Sequence, residues 1–236
     1  MRRRGIAFAA AALVLAGAAP EAAAQRTGTR MGRNAMNTQR DAYTLLGIIG
    51  ECLAQRRPEL VRRWLNMLPG SREELALLDA QEGDFDVCAS DDQFILGGGR
   101  ELLYTPRRLR VPAALATVRR SIGRAPERSP LPADSDPWFV PALNALPSGS
   151  TIDRGSLLAQ EFGHCVAVTD WANARALLAA REGSSQEGGA FEALRPVLAG
   201  CVPQGLRLEI TPKALREYLA EPFYHVMTAA PGAGRG

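Results

Sequence analysis

Lysine is all but missing from this 236-residue chain, with Lys213 alone among 28 Lys+Arg. So lopsided a cation set points to genomic base composition rather than to a choice of bidentate chemistry, although arginine does suit carboxylate and phosphate. Histidine is limited to His164 and His225, and cysteine to Cys52, Cys88, Cys165 and Cys201. With no CxxC pair, thioredoxin-type redox chemistry lacks its motif. With no G-x-S-x-G, there is no nucleophile elbow, and Gly97-Gly98-Gly99 is not followed by the Lys-Ser/Thr of a phosphate-binding loop. Beyond the N-terminus no stretch nears ~18 consecutive apolar residues, so the mature chain is expected to have no transmembrane span.

The N-terminus has the grammar of an export signal. Met1-Arg2-Arg3-Arg4 is a short basic start, Ile6 to Ala19 an apolar run, and Ala22-Ala23-Ala24 supplies small residues before Gln25. Removing residues 1–24 takes away Arg2, Arg3, Arg4 and Glu21. The 28 Lys+Arg and 25 Asp+Glu then become 25 and 24, so the formal charge falls from +3 to +1. A nearly neutral protein offers no overall electrostatic case for nucleic acid. The expected localisation is periplasmic or secreted.

What is present is a stretch that occurs twice. Cys52 to Cys88 and Cys165 to Cys201 have the same separation, 36 residues. They align without a gap: Ala54, Arg62, Leu65, Gly70, Ser71, Glu74 and Ala80 fall on Ala167, Arg175, Leu178, Gly183, Ser184, Glu187 and Ala193. An exported chain meets an oxidising compartment, so these cysteines read as disulfides. Four cysteines allow three connectivities. Cys52–Cys88 with Cys165–Cys201 is preferred because each closes its own unit, and pairing across the units also respects the symmetry.

The spacing of apolar residues predicts helices throughout. Asp41 opens one carrying Leu45, Leu46, Ile49, Cys52 and Leu53, and a second covers roughly Pro58–Leu68. Ser71 with Glu74 makes a capping box for a third helix, running towards Gly83 and followed by the acidic segment Asp84-Phe85-Asp86 and then Cys88. Thr105-Pro106 starts a fourth. The second half repeats this from Asp153, Asp170, Ser184-x-x-Glu187 and Thr211-Pro212. The threonines lie 106 apart and the cysteines 113, so the first unit carries seven extra residues, around Asp91 to Gly99. Leu206, Leu208 and Ile210 alternate with charged residues, leaving room for a minimal strand pair between Glu101–Tyr104 and Arg207–Ile210.

The expected fold is therefore predominantly α, with two tandem helical repeat units. Its organisation runs: signal peptide 1–24, flexible basic arm 25–40, repeat 41–122, Pro-rich linker 123–150, repeat 151–228, disordered tail 229–236. Trp138-Phe139-Val140 is too apolar for a solvated tether and is expected to pack on one of the halves.

The signal segment, the glycine shortly before each first cysteine (Gly50, Gly163), the Gly-Ser…Glu turn and the Thr-Pro before the last helix carry a resemblance. This layout resembles a group of uncharacterised exported alphaproteobacterial proteins over residues 41–120 and 153–228. The resemblance implies no activity, and so no functional residue.

Three functional readings remain. The first is a non-catalytic envelope interaction protein, its partner another protein or a cell-wall polymer, without cofactor or metal; a scaffold is duplicated here without any duplicated polar constellation. The second is an envelope enzyme with a site near Glu161 and His164, which share a helical face; the aligned residues Ile48 and Glu51 do not repeat them. The third is a polyanion or membrane-surface binder using Arg107, Arg108, Arg110, Arg119, Arg120 and Arg124, for which a solvated helix face is the simpler account.

Overall fold

The structure is a computed structural model, which describes residues 38–90, 105–204 and 207–229. The expected signal segment, the expected arm up to residue 37, the insertion with its expected strand Glu101–Tyr104, and the expected tail from residue 230 lie outside the described residues. Among the described residues the fold is predominantly α and holds no strand; Arg207–Ile210 carries no ladder.

Ten helices follow in chain order: α1 (Thr38–Arg56), α2 (Pro58–Leu65), α3 (Arg72–Ala80), α4 (Glu82–Ser90), α5 (Arg110–Ser121), α6 (Val140–Asn144), α7 (Arg154–Thr169), α8 (Trp171–Ala179), α9 (Ser185–Cys201) and α10 (Pro212–Thr228). A 3₁₀ turn, Pro106–Leu109, leads into α5. The helix signals act at their residues. Ser71, Asp153, Asp170, Ser184 and Thr211 each accept a backbone N–H three residues on. Thr105 does not, because the chain enters a 3₁₀ turn there. Two boundaries differ from expectation. Helix α1 begins at Thr38, before Asp41, and Asp84-Phe85-Asp86 is helical, so Cys88 lies on α4.

Cys52 is bonded to Cys88 and Cys165 to Cys201, with Cα atoms 5.7 and 5.5 Å apart. Each bridge closes a long loop, which in the chain-entropy account stabilises by about 4 kcal/mol.

Helices α1 and α5 cross closely, as do α7 and α10, and glycines permit both crossings. A Cβ on Gly50 would sit 2.6 Å from the Pro112 carbonyl carbon. A Cβ on Gly163 would run into the Tyr218 carbonyl oxygen. These contacts join positions 113 apart on the first helix and 106 apart on the second, the same offsets that align the cysteines and the Thr-Pro steps. Helices α5 and α10 pack on each other at the centre, and one apolar core runs through both halves. Trp64 meets Phe85 edge-on in the first half, and Trp171 stacks on Phe223 in the second.

Residues 123–150 form a strap laid over the helices. Trp171 Nε1 donates to the Pro126 carbonyl at 2.8 Å. Phe139 is buried between Leu68 of the first half and Leu157 of the second, so the apolar part of the strap packs on both.

Candidate functional site

Charged side chains are buried between the helices of both halves. Arg110, expected on a basic outer face, is buried and fully engaged. Its Nε and Nη2 form a fork onto Glu221 (2.8 and 2.5 Å), Nη1 donates to Glu74 Oε1 (2.8 Å), and the remaining hydrogens reach the carbonyls of Trp64, Leu65 and Met67. Burial alone would lower the Arg110 pKa; the charges and hydrogen bonds of Glu221, then Glu74, outweigh it and raise it. Glu74 also accepts from Trp64 Nε1 (2.9 Å) and from Gly70 N (2.5 Å).

The same arrangement occurs in the second half. Arg216, buried, donates from Nε to Glu187 Oε1 (2.7 Å) and from its Nη atoms to the carbonyls of Leu178 and Ala180. Glu187 accepts from Gly183 N at 2.6 Å. Gly70 and Gly183 have φ of +78° and +73°, a left-handed conformation that glycine adopts without strain. Each glycine N–H thereby meets the carboxylate three residues beyond the cap, in place of the cap residue's own N–H, which is bonded to Leu68 or Arg181.

The first node is saturated, with every nitrogen of Arg110 and both oxygens of Glu74 and Glu221 in hydrogen bonds, and it serves to hold the fold. In the second, both oxygens of Glu187 are used, while Arg216 makes three hydrogen bonds and also borders the groove described below.

The paired candidates Glu161 and His164 do not share an environment. Glu161 is exposed, whereas His164 is 3% exposed beneath the strap. His164 Nε2 donates to the Ser135 carbonyl at 2.9 Å, and its buried Nδ1 has no partner. Burial lowers the pKa of His164. His225 is likewise buried and neutral: Nε2 donates to the Leu65 carbonyl at 3.1 Å, and burial pulls its pKa to about 3. Trp138 of the strap stacks on the His225 ring (centroids 4.0 Å apart, planes 14° apart) and donates to Gln160 Oε1 at 2.8 Å. Among the described residues no group of three or more His, Cys, Asp or Glu is placed to hold a metal ion.

The remaining arginines of the expected basic cluster are largely paired. Arg107 meets Asp153 (3.1 Å), Arg119 meets Glu182 (3.2 Å) and Arg120 meets Glu51 (3.1 Å). Arg108 makes no ion pair among the described residues.

The open feature is a groove of about 1160 Å³ between the two halves. Its apolar floor comes from α1 (Leu46, Ile48) and α5 (Val111, Pro112, Leu115). The second half closes it with Glu182, Lys213 and Glu217. At one end Lys213 Nζ lies 3.8 Å from the centre of the exposed Tyr43 ring. Burial against this wall raises the pKa of Glu217. The lining could not be named from the sequence, because it is set by how α10 crosses the first half.

No protein-family model, curated protein or solved structure matches this chain. Among the described residues no helix is long and apolar enough to cross a membrane.

Proposed function

We propose that this chain is an exported, non-catalytic binding protein of the cell envelope, and that the groove between its halves receives a partner. The observation that carries the reading is how the polar groups are distributed. The buried arginines, carboxylates and histidines are committed to internal hydrogen bonds, with His164 Nδ1 the exception, while the large concavity has an apolar floor and a charged rim. That combination suits binding without chemistry. Two disulfides fit an oxidising compartment, and the N-terminal signal grammar supplies the route to it.

The test has two arms. Fractionation should release the protein, trimmed near Gln25, with the periplasmic or culture fluid. A photo-crosslinker at Ile48, on the groove floor, should give a discrete adduct in cells. One at exposed Glu161, outside the groove, should not. Retention of the full-length chain in the cytoplasm, or identical adducts from both positions, would sink the proposal.

A further inference from the structure

The two halves do not present the same surface. The offsets that superpose their buried nodes also identify the counterpart of the open groove. Gly47 corresponds to Gln160 and Glu51 to His164, each 113 residues on; Leu115 corresponds to Glu221 and Arg119 to His225, each 106 on. Of those counterparts, Gln160, His164 and His225 lie beneath the strap, and Glu221 sits one turn before His225 on α10. Ser135 meets His164, and Trp138 lies between Gln160 and His225. The counterpart groove is thus filled by the chain itself, with a proline-rich segment that lays the flat Trp138 ring on His225.

A second pair of positions agrees. At Gly70 the chain just beyond the strap, at the cap of α7, is in contact: a Cβ there would lie 2.6 Å from Asp153 N, which donates to the Pro69 carbonyl at 2.7 Å. At Gly183, the counterpart, a Cβ would meet nothing within 4 Å. Beside Gly70, Arg107 pairs with Asp153, and the residue corresponding to Arg107 on the open side is Lys213. The open groove therefore keeps the cation, Lys213, and has the glycine turn beside its lining residue Glu182, without a strap seated on them among the described residues.

Resting on the binding reading above, we propose that the open groove takes an extended, proline-rich peptide of a partner protein. Its aromatic side chain lies against Arg119, and a carboxylate lies near Lys213. Arg119 suits the role His225 plays opposite, because a planar guanidinium stacks on an aromatic face as an imidazole does. Proline limits the conformations lost on docking, as it does in the strap. What the open side lacks is the hydrogen-bond acceptor of Gln160, since its counterpart is Gly47, with open space around its Cβ.

That difference supplies the test. A fluorescein-labelled peptide with the sequence of residues 131–153 is titrated against the purified chain from residue 25, read by anisotropy. The expected affinity is in the roughly micromolar range of small transient interfaces. Gly47→Gln restores the acceptor for the peptide's indole and should tighten binding about threefold to tenfold. Gly47→Arg fills the groove and should weaken it at least about tenfold, with unchanged helical circular dichroism. The gain in Gly47→Gln is a change that misfolding cannot produce.

No binding up to about 1 mM overturns the proposal, as does binding indifferent to both substitutions. Binding seen only after deleting residues 25–37 overturns it in favour of the chain's own N-terminal arm. Self-association abolished by Gly47→Arg overturns it in favour of a second copy. If the Ile48 crosslinker still captures a partner while the peptide fails, the binding function stands and only the peptide chemistry falls.

Discussion

The two buried arginines should differ in what their loss costs, and the difference can be worked from their partners. Arg110 neutralises Glu74 and Glu221 and binds three carbonyls; Arg216 neutralises Glu187 and binds two. Removing one partner of a buried pair costs about 3–5 kcal/mol, because the charge left behind has lost water and gained nothing. Arg216→Met leaves one such carboxylate and should cost about 3 kcal/mol. Arg110→Met leaves two, with half-exposed Arg107 3.6 Å from Glu74 and the neutral His225 3.9 Å from Glu221, and should cost about 5 kcal/mol. For a domain whose whole stability is about 5–15 kcal/mol, the second change approaches unfolding. Glu221→Leu, placing at 221 the residue found at its counterpart Leu115, should offset part of the Arg110→Met loss, with a coupling of at least about 1.5 kcal/mol. The assay is urea unfolding of the oxidised chain at pH 7.5, followed by far-ultraviolet circular dichroism. Trp64 fluorescence is unsuitable because its ring lies 6.0 Å from Arg110. An Arg110→Met loss below about 1 kcal/mol, a larger loss for Arg216→Met, or strictly additive changes would refute the reasoning.

Acid should destabilise the fold through His225. Its folded pKa of about 3 lies below the ordinary value of 6.5, so the unfolded chain binds the extra proton and stability falls as pH drops from about 6.5 towards 3. At pH 5 the loss is about 2 kcal/mol; His164 adds to it in the same direction. His225→Phe should flatten this slope, and an unchanged slope would show that the histidine is not the source. Gly50→Ala should lose about 2 kcal/mol or more, since the added methyl meets backbone at the α1–α5 crossing, whereas Gly83→Ala, with open space around it, should lose none. Thermal melts of the pair would decide this; equal melting temperatures would count against the crossing. Cys165→Ser with Cys201→Ser should cost about 4 kcal/mol by urea titration, and a loss under about 1 kcal/mol would mean the loop is held without its bridge.

Most of the helical frame was legible because its punctuation is local. A cap, a proline or a left-handed glycine acts within three or four residues, so Ser71, Asp153, Asp170 and Ser184 could be read directly. The cysteine spacing gave the preferred pairing for a similar reason. The buried nodes were missed, although a signal was present: Thr105-Pro106-x-x-Leu109-Arg110 and Thr211-Pro212-x-x-Leu215-Arg216 place an arginine at matched positions in both halves. Two considerations hid it. Arg107 and Arg108 made Arg110 look like part of an outer face, and Glu74 and Glu187 already had an explanation as capping residues. Helical periodicity says which residues share a face, not which of several charged faces is turned inward. The strap was read as a linker from its prolines, a composition that fits a tether and a packed extended segment equally. The groove lay beyond sequence reasoning because each of its walls comes from a different half.

The bridges carry a consequence for how such a chain is made. Each joins a cysteine to the next one along the sequence, Cys52 to Cys88 and Cys165 to Cys201. Under the export proposed above, the chain crosses into an oxidising space N-terminus first and presents Cys52 and Cys88 before either of the others exists there. Simple order of arrival then selects the native pairing, and no shuffling of a wrong bond is required. The first half can be covalently closed while the second is still being delivered, and the strap with α7 to α10 arrives onto a partner whose own loop is already locked.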